Sequence, residues 1–318
     1  MNRRAQPKHE DAQRPLEERV REWLKTQGYP LEFETREMFE RHGFETIQGR
    51  RVPQREGDPL EVDVTASMMR AAIETRLEVR VVVECKYAPE PWVLFVKDEP
   101  SMSPTCLGNE LAEALMTIRR VRGEDVSLAT FATEGAAFNV ATLKGKDQAF
   151  ETVKAVVSRI EGSVDNMNQY FTKDRPPFAV FERPLVVIRG ELCAVRWNSE
   201  SKQLVPQQVR SGSVEYRSAT GRRFLVDVVT EGLLDKYLTQ SRKHLAVFLD
   251  EMHSTADEFD AAWKQRRLSP LRLPAAETDR LPRLLASLAD SEATTRMLQE
   301  QVKNQKESAR RSSRDDRL

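Results

Sequence analysis

The segment that most restricts the fold is Leu77 to Lys86, because it reads as a strand and then carries charge where a strand should not. Its odd positions, Leu77, Val79, Val81, Val83 and Cys85, are apolar or small, while Glu78, Arg80 and Glu84 alternate with them. That is period two, the spacing of a pleated strand rather than of a helix. Val81, Val82 and Val83 then stand in a row, the mark of a strand buried on both faces. Upstream, Leu60 to Ala66 reads as another strand, with Asp63 inside it. A carboxylate buried in such a setting without a partner costs on the order of several kcal/mol, so Asp63 and Glu84 demand one.

The rest of the chain supplies helices around these strands. Leu16, Val20, Trp23 and Leu24 recur at helical spacing before Gly28 and Pro30. A second helix starts at Pro30, carries Glu32 and Glu34 in its first turn and Leu31, Met38 and Phe39 on its apolar side, and stops at Gly43. Phe44 to Ile47 reads as a strand. Leu111, Leu115 and Ile118 mark a helix ending at Gly123, Val126 to Ala132 a strand, and Phe150, Val153, Val157 and Ile160 a longer helix. Further on, Leu185 to Ile188 and Glu191 to Val195 suggest a hairpin around Arg189 and Gly190. Phe224 to Val229 suggests a strand, and Leu233, Leu234, Tyr237 and Leu238 a helix running toward Met252. This order predicts an α/β fold, a mixed central sheet flanked by helices, with a C-terminal β-hairpin/helix extension and a partly disordered tail. The expected divisions are a polar leader over 1–15, a core over 16–180 and an extension packed on that core over 181–253, with Lys173 to Pro177 as a connector. Over 254–318 we expect a linker, an amphipathic helix from Leu281 to Val302 and a flexible tail from Ala309.

Composition narrows the function classes. With 39% apolar and 31% charged residues, the chain of 318 residues suits a folded soluble protein. It has no apolar run near the ~20 residues of a membrane helix, and no apolar core of a signal peptide, so no membrane partner and a cytoplasmic location are expected. The three cysteines, Cys85, Cys106 and Cys193, suit a reducing compartment and argue against a disulfide framework or zinc knuckle. Fifty Lys plus Arg balance fifty Asp plus Glu, so a polyanionic partner requires segregated charge. Arg50, Arg51 and Arg55 form one cluster and Arg119, Arg120 and Arg122 another, each readable as a solvated face. His42 fits a helix C-terminus, and His244 and His253 lack metal-ligand spacing. Gly145-Lys146 lacks the glycines of a phosphate loop. Trp92 and Tyr87 fit the core better than base stacking, and Asp227 has no Glu-X-Lys after it.

Residues two apart on a strand share a face at roughly 6–7 Å, so Glu84 and Lys86 point one way while Cys85 points into packing. A divalent cation bound by Asp63, Glu84 and the backbone carbonyl of Cys85 would balance the carboxylates, and Mg²⁺ needs only a few protein oxygens because it keeps its waters. Such a cation activates water and stabilises charge on a phosphodiester, and Lys86 beside it would orient the water or neutralise that charge, with its pKa falling near the metal. The plainer alternative is an exposed cross-strand ion pair between Glu84 and Lys86.

Asp63 followed by Glu84-Cys85-Lys86 resembles the motif of the PD-(D/E)XK nuclease superfamily, with Val62 where the family's usual proline stands. Leu31-Glu32, Met38-Phe39 and Gly43-Phe44 resemble the helix that precedes these strands in restriction-endonuclease-like members, which places Glu32 as the helix carboxylate and Glu34 in reserve. The resemblance covers residues from about 16 to 160. It implies a restriction-endonuclease-like core, dependence on Mg²⁺ (or Mn²⁺), and hydrolysis of nucleic acid, DNA more than RNA, in defence or repair. By the same analogy Asp63, Glu84, Lys86 and Glu32 are the expected catalytic residues, and a homodimer would cut both strands. The alternatives are a nucleic-acid-binding or assembly module that keeps the fold without cleaving, and an interaction protein that pairs through its C-terminal amphipathic helix.

Overall fold

The computed structural model describes residues 14–25, 29–53, 59–72, 75–97, 106–124, 136–144, 147–169 and 178–266. The leader through residue 13, the strand expected over Val126 to Ala132, the Lys173 to Pro177 connector, the Gly145-Lys146 pair, the helix over Leu281 to Val302 and the tail from Ala309 lie outside these residues.

Two helices open the described chain, α1 (Leu16–Lys25) and α2 (Tyr29–Arg41). In α2, Leu31, Thr35 and Phe39 are buried at a spacing of four, one face of a helix. It stops as expected. Gly43 takes a φ of 78°, its amide donates to the Glu40 carbonyl at 2.8 Å, and the Phe44 amide donates to the Phe39 carbonyl at 3.2 Å. Phe44 meets Phe39 edge to face at 5.2 Å, which completes a Schellman cap with its hydrophobic contact.

Three antiparallel strands follow, β1 (Glu45–Val52), β2 (Leu60–Ala71) and β3 (Arg76–Val96). Then come β4 (Leu107–Gly108), α3 (Glu110–Val121), β5 (Ala136–Thr142), α4 (Gln148–Gln169) and β6 (Phe178–Asn198). The chain continues with β7 (Gln203–Val209), β8 (Ser211–Arg217), β9 (Arg223–Thr230), a 3-10 turn at Glu231–Leu233 and α5 (Leu234–Arg266). The architecture is α/β, with nine strands among the described residues in one sheet of parallel and antiparallel pairs flanked by helices. Among the described residues no helix is long and apolar enough to cross a membrane.

The spine of the sheet is the parallel pair β3–β6, each strand 21 residues long. Along its other edge β6 changes partners twice. It pairs first with β4 at Phe181 and Glu182, next with β9 from Leu185 to Ile188, then with β7 from Leu192 to Asn198. Pro184, which has no N–H, falls at the first change, where the ladder on that edge is interrupted anyway. Gly190 falls at the second. Here the expected hairpin around Arg189 and Gly190 is corrected: the chain runs straight through as one strand. A Cβ on Gly190 would lie 2.3 Å from the Ala88 carbonyl oxygen, so the glycine serves a close approach of two strands and not a turn. Opposite it, β3 bulges between Ala88 and Trp92, where Pro89 and Pro91 can offer no ladder donors. The extension does contain hairpins, but they join β6 to β7 and β8 to β9. The strands after residue 180 are continuous with the sheet, since β6 pairs with β3 along nearly its whole length.

One sheet face, with Val79, Val81, Val83, Cys85, Phe181 and Val187, packs under α2, α3 and α5. The other, with Val82, Val186, Ile188 and Val228, packs against α4 through Val153, Val157 and Ile160. Trp92 is fully buried in this second layer, as expected of a core residue, whereas Tyr87 is exposed rather than part of the core. The polar stretch from Ser254 is not a linker at its start, because α5 continues through it to Arg266. Asp260 there accepts from the Thr75 amide at 3.0 Å and from its hydroxyl at 2.8 Å, both buried.

Candidate functional site

The parting of β2 from β3 builds the site. Their ladder runs from Ala71 and Arg76 to Val64 and Val83 and then ends. One residue further, the Asp63 side chain takes the place of the next backbone partner: its Oδ2 accepts from the Cys85 amide at 2.7 Å. The amide and carbonyl of one strand residue point to the same edge, so the Cys85 carbonyl is turned to this gap as well. On the far edge β3 stays paired with β6 through Lys86 and Ile188, which fixes the Glu84-Cys85-Lys86 backbone.

Side-chain alternation sorts the three residues as expected. The Cys85 thiol points under α2, donates to the Thr35 hydroxyl at 3.6 Å, and burial pushes its pKa well above the ordinary thiol value. It is a packing group, as is Cys106, whose thiol burial raises to about 12. Glu84 and Lys86 point to the opposite face, where Lys86 Nζ donates to Glu84 Oε1 at 2.7 Å. Glu84 is only 2% exposed, so an exposed surface ion pair does not describe it. Its second oxygen, Oε2, accepts from Nη1 of Arg159 on α4.

Glu32 comes from α2 and accepts weakly from the Gln48 side chain at 3.4 Å. Burial and then the Asp63 charge raise its pKa, so the two carboxylates lie within electrostatic reach of each other. Glu34 does not join them. It pairs with Arg189, which also holds Glu231 with its Nε at 2.6 Å, a separate cluster. The structure thus brings Glu32, Asp63, Glu84, Cys85 and Lys86 together and leaves Glu34 outside.

The electrostatics is that of crowded negative charge. Burial raises the pKa of Asp63, with Glu61 adding to the rise and the Cys85 amide, Lys86 and Arg159 opposing it. Burial and then Asp63 raise Glu84 against the pull of Lys86 and Arg159. For Lys86, burial acts to lower the pKa, but Glu84 and Asp63 outweigh it and the net shift is upward. These carboxylates keep Lys86 a charged donor near neutral pH; the expected fall belongs to the metal-bound site, where the cation would offset them.

Sequence reading missed Arg159 and Gln48. Arg159 lies 75 residues from Glu84 and is flanked on α4 by the buried Val156, Val157 and Ile160. An arginine embedded in an apolar helix face was the available signal. Of the arginine clusters, Arg119 is tied to Glu251 at 3.1 Å and Arg122 to Glu258 at 2.6 Å on α5, which makes them braces between helices. Asp227 sits apart, accepting from Ser213 at 2.6 Å, Tyr237 at 2.8 Å and Arg183.

The donor types at the gap are those a hard divalent cation prefers: carboxylate oxygens of Asp63 and Glu84, the Cys85 carbonyl, and Glu32 nearby. Among the described residues, however, no group of three or more His, Cys, Asp or Glu side chains is gathered as a ligand set. Both Glu84 oxygens are also held by cations. A metal taking two carboxylates, one carbonyl and waters would do so at the expense of one Glu84 ion pair. Comparison with family models, with curated proteins and with solved structures returned no match to this chain.

Proposed function

We propose that the chain is a metal-dependent nuclease of the PD-(D/E)XK type, built on a restriction-endonuclease-like core and acting on DNA. The observation that carries this reading is the convergence of Asp63, Glu84 and Lys86, with Glu32 beside them, where β2 leaves β3. Asp63, Glu84 and the Cys85 carbonyl would hold Mg²⁺ or Mn²⁺, which when bound supplies a more acidic water and neutralises charge on a phosphate. Lys86, charged and anchored to Glu84, would donate to the phosphate oxygen on which charge grows. Glu32 would receive a hydrogen bond from the attacking water through its half-buried carboxylate. Cleavage of both strands would call for two copies of the chain.

The test is cleavage of plasmid and single-stranded DNA by the purified chain, with and without Mg²⁺ or Mn²⁺, beside Lys86→Ala. The expected result is metal-dependent cutting that falls on the order of 10²–10³-fold in the variant. Cutting that needs neither metal nor Lys86 would overturn the assignment.

One observation favours a second reading, a nucleic-acid-binding or assembly module that keeps this fold without cleaving: both Glu84 oxygens already have cationic partners inside the protein. Calorimetry separates the two, since the module binds no Mn²⁺ at this gap.

A further inference from the structure

Glu84 is the carboxylate that the nuclease reading most needs, and it is the one most fully occupied. Its two partners differ in kind. Lys86 is two residues along the same strand face and is held beside Glu84 by the pleat itself. Arg159 reaches in from α4, on the face of the sheet opposite α2, and its side chain is 12% exposed. Its Nη1 is paired with Glu84 Oε2, while its Nε is buried with no hydrogen-bond partner. Arg159 is therefore the less completely satisfied of the two cations, and the one brought to Glu84 by a separate element. A guanidinium that leaves Glu84 also remains useful, because its fork of donors matches the oxygens of a phosphate.

We propose that Arg159 is the resident counter-cation of Glu84, which a divalent metal must displace from Oε2 in order to bind, so that Arg159 sets the metal affinity of the site. The inference rests on the metal-binding reading above. It gives the second oxygen of the buried carboxylate a cationic partner before metal arrives, where an unsatisfied one would cost stability. It also makes metal occupancy a competition between two cations rather than the filling of an open site.

The experiment is Mn²⁺ titration calorimetry on the full chain, comparing wild type with Arg159→Met, which keeps the apolar stem, and Arg159→Gln, which keeps a neutral donor. A control, Lys154→Met, removes an exposed cation from the same helix that pairs with Glu151. Each variant is first checked for a cooperative thermal transition. The expected result is Mn²⁺ affinity about tenfold higher in Arg159→Met, the loss of one charge-assisted hydrogen bond to be broken. Arg159→Gln should tighten too, which keeps the test alive if the methionine variant fails to fold, and Lys154→Met should match wild type. If wild type binds Mn²⁺ and the Arg159 variants bind no tighter, or Lys154→Met tightens equally, Arg159 is not the competitor. If wild type and every variant bind none, the metal reading fails and this inference with it.

Discussion

Glu182 shows what a buried carboxylate does in this chain away from the candidate site. It accepts from the Ser163 hydroxyl at 2.7 Å through Oε1, faces Arg80 at 3.5 Å, and leaves Oε2 buried without a partner. Burial raises its pKa above the ordinary 4.5, against the pull of Arg80. The folded chain thus keeps a proton that the unfolded chain releases, and in the window from 4.5 upward to the raised value stability falls as pH rises. Glu182→Gln removes this dependence. Urea melts at pH 4.5 and pH 7 should show the stability of the variant, relative to wild type, increasing with pH; a flat or opposite trend would mean Glu182 ionises as easily folded as unfolded. Asp227 makes the complementary case. It is completely buried with Arg183, Ser213 and Tyr237 around it, so Arg183→Met leaves an uncompensated charge. We expect a loss of about 3–5 kcal/mol in denaturant unfolding, and a loss under 1 kcal/mol would contradict a charged pair. At this scale Asp63, Glu84 and Lys86 were readable because strand period two is local and puts them on known faces. Arg159 was not, because its partner lies 75 residues away and nothing local says which helix covers β3.

Strand β6 shows where local signals fail at the scale of an element. Arg189-Gly190 between two apolar runs looks like a turn, and the pairing of β3 along one whole edge overrides it. The same limit hid β7, whose residues from Gln203 to Gln208 are exposed and include Pro206, so no buried alternation marks it. Helices α2 and α3 were legible because their stops, Gly43 and Gly123, both take positive φ, a property written in the residue itself. The two kinds of glycine separate by experiment. Gly43→Ala meets a left-handed backbone and should cost about 1 kcal/mol. Gly190→Ala must push the β3 and β6 backbones apart, since its Cβ would also lie 2.9 Å from the Ala88 Cβ. It should cost about 2 kcal/mol or more and raise hydrogen exchange at the β3–β6 pairs near Lys86. If Gly190→Ala is the milder of the two, the close approach of the strands is not what selects glycine there.

Across the whole molecule, α5 ties together the parts that carry the candidate site. Its first turn meets α2, where His42 Nε2 and Asp235 lie 3.0 Å apart. Its middle contacts the end of β2, through Arg70 with Asp250 and His253 Nε2 with the Ala71 carbonyl at 3.0 Å. Arg119 of α3 and its C-cap Arg122 pair with Glu251 and Glu258, and Asp260 takes two buried donors of Thr75 just before β3. The helix carrying Glu32 and the strands carrying Asp63 and Glu84 are thus referred to one rod. Past Met252 no local signal marked this, because from Ser254 polar residues interrupt the apolar spacing and their partners lie on distant elements. Thr255, Ala256 and Asp260 are nonetheless buried, so cutting the chain after His253 removes packing and leaves the Thr75 donors unsatisfied. Asp260→Ala alone should cost about 2 kcal/mol, the desolvation of donors left without an acceptor. The truncated chain should lose far more and melt without a cooperative transition, with the Cys85 amide losing protection early because Asp63 is no longer held against it. A truncated chain that unfolds at the same urea midpoint and with the same slope would show that the last turns of α5 only rest on the sheet, and that β2 and β3 hold the gap open by themselves.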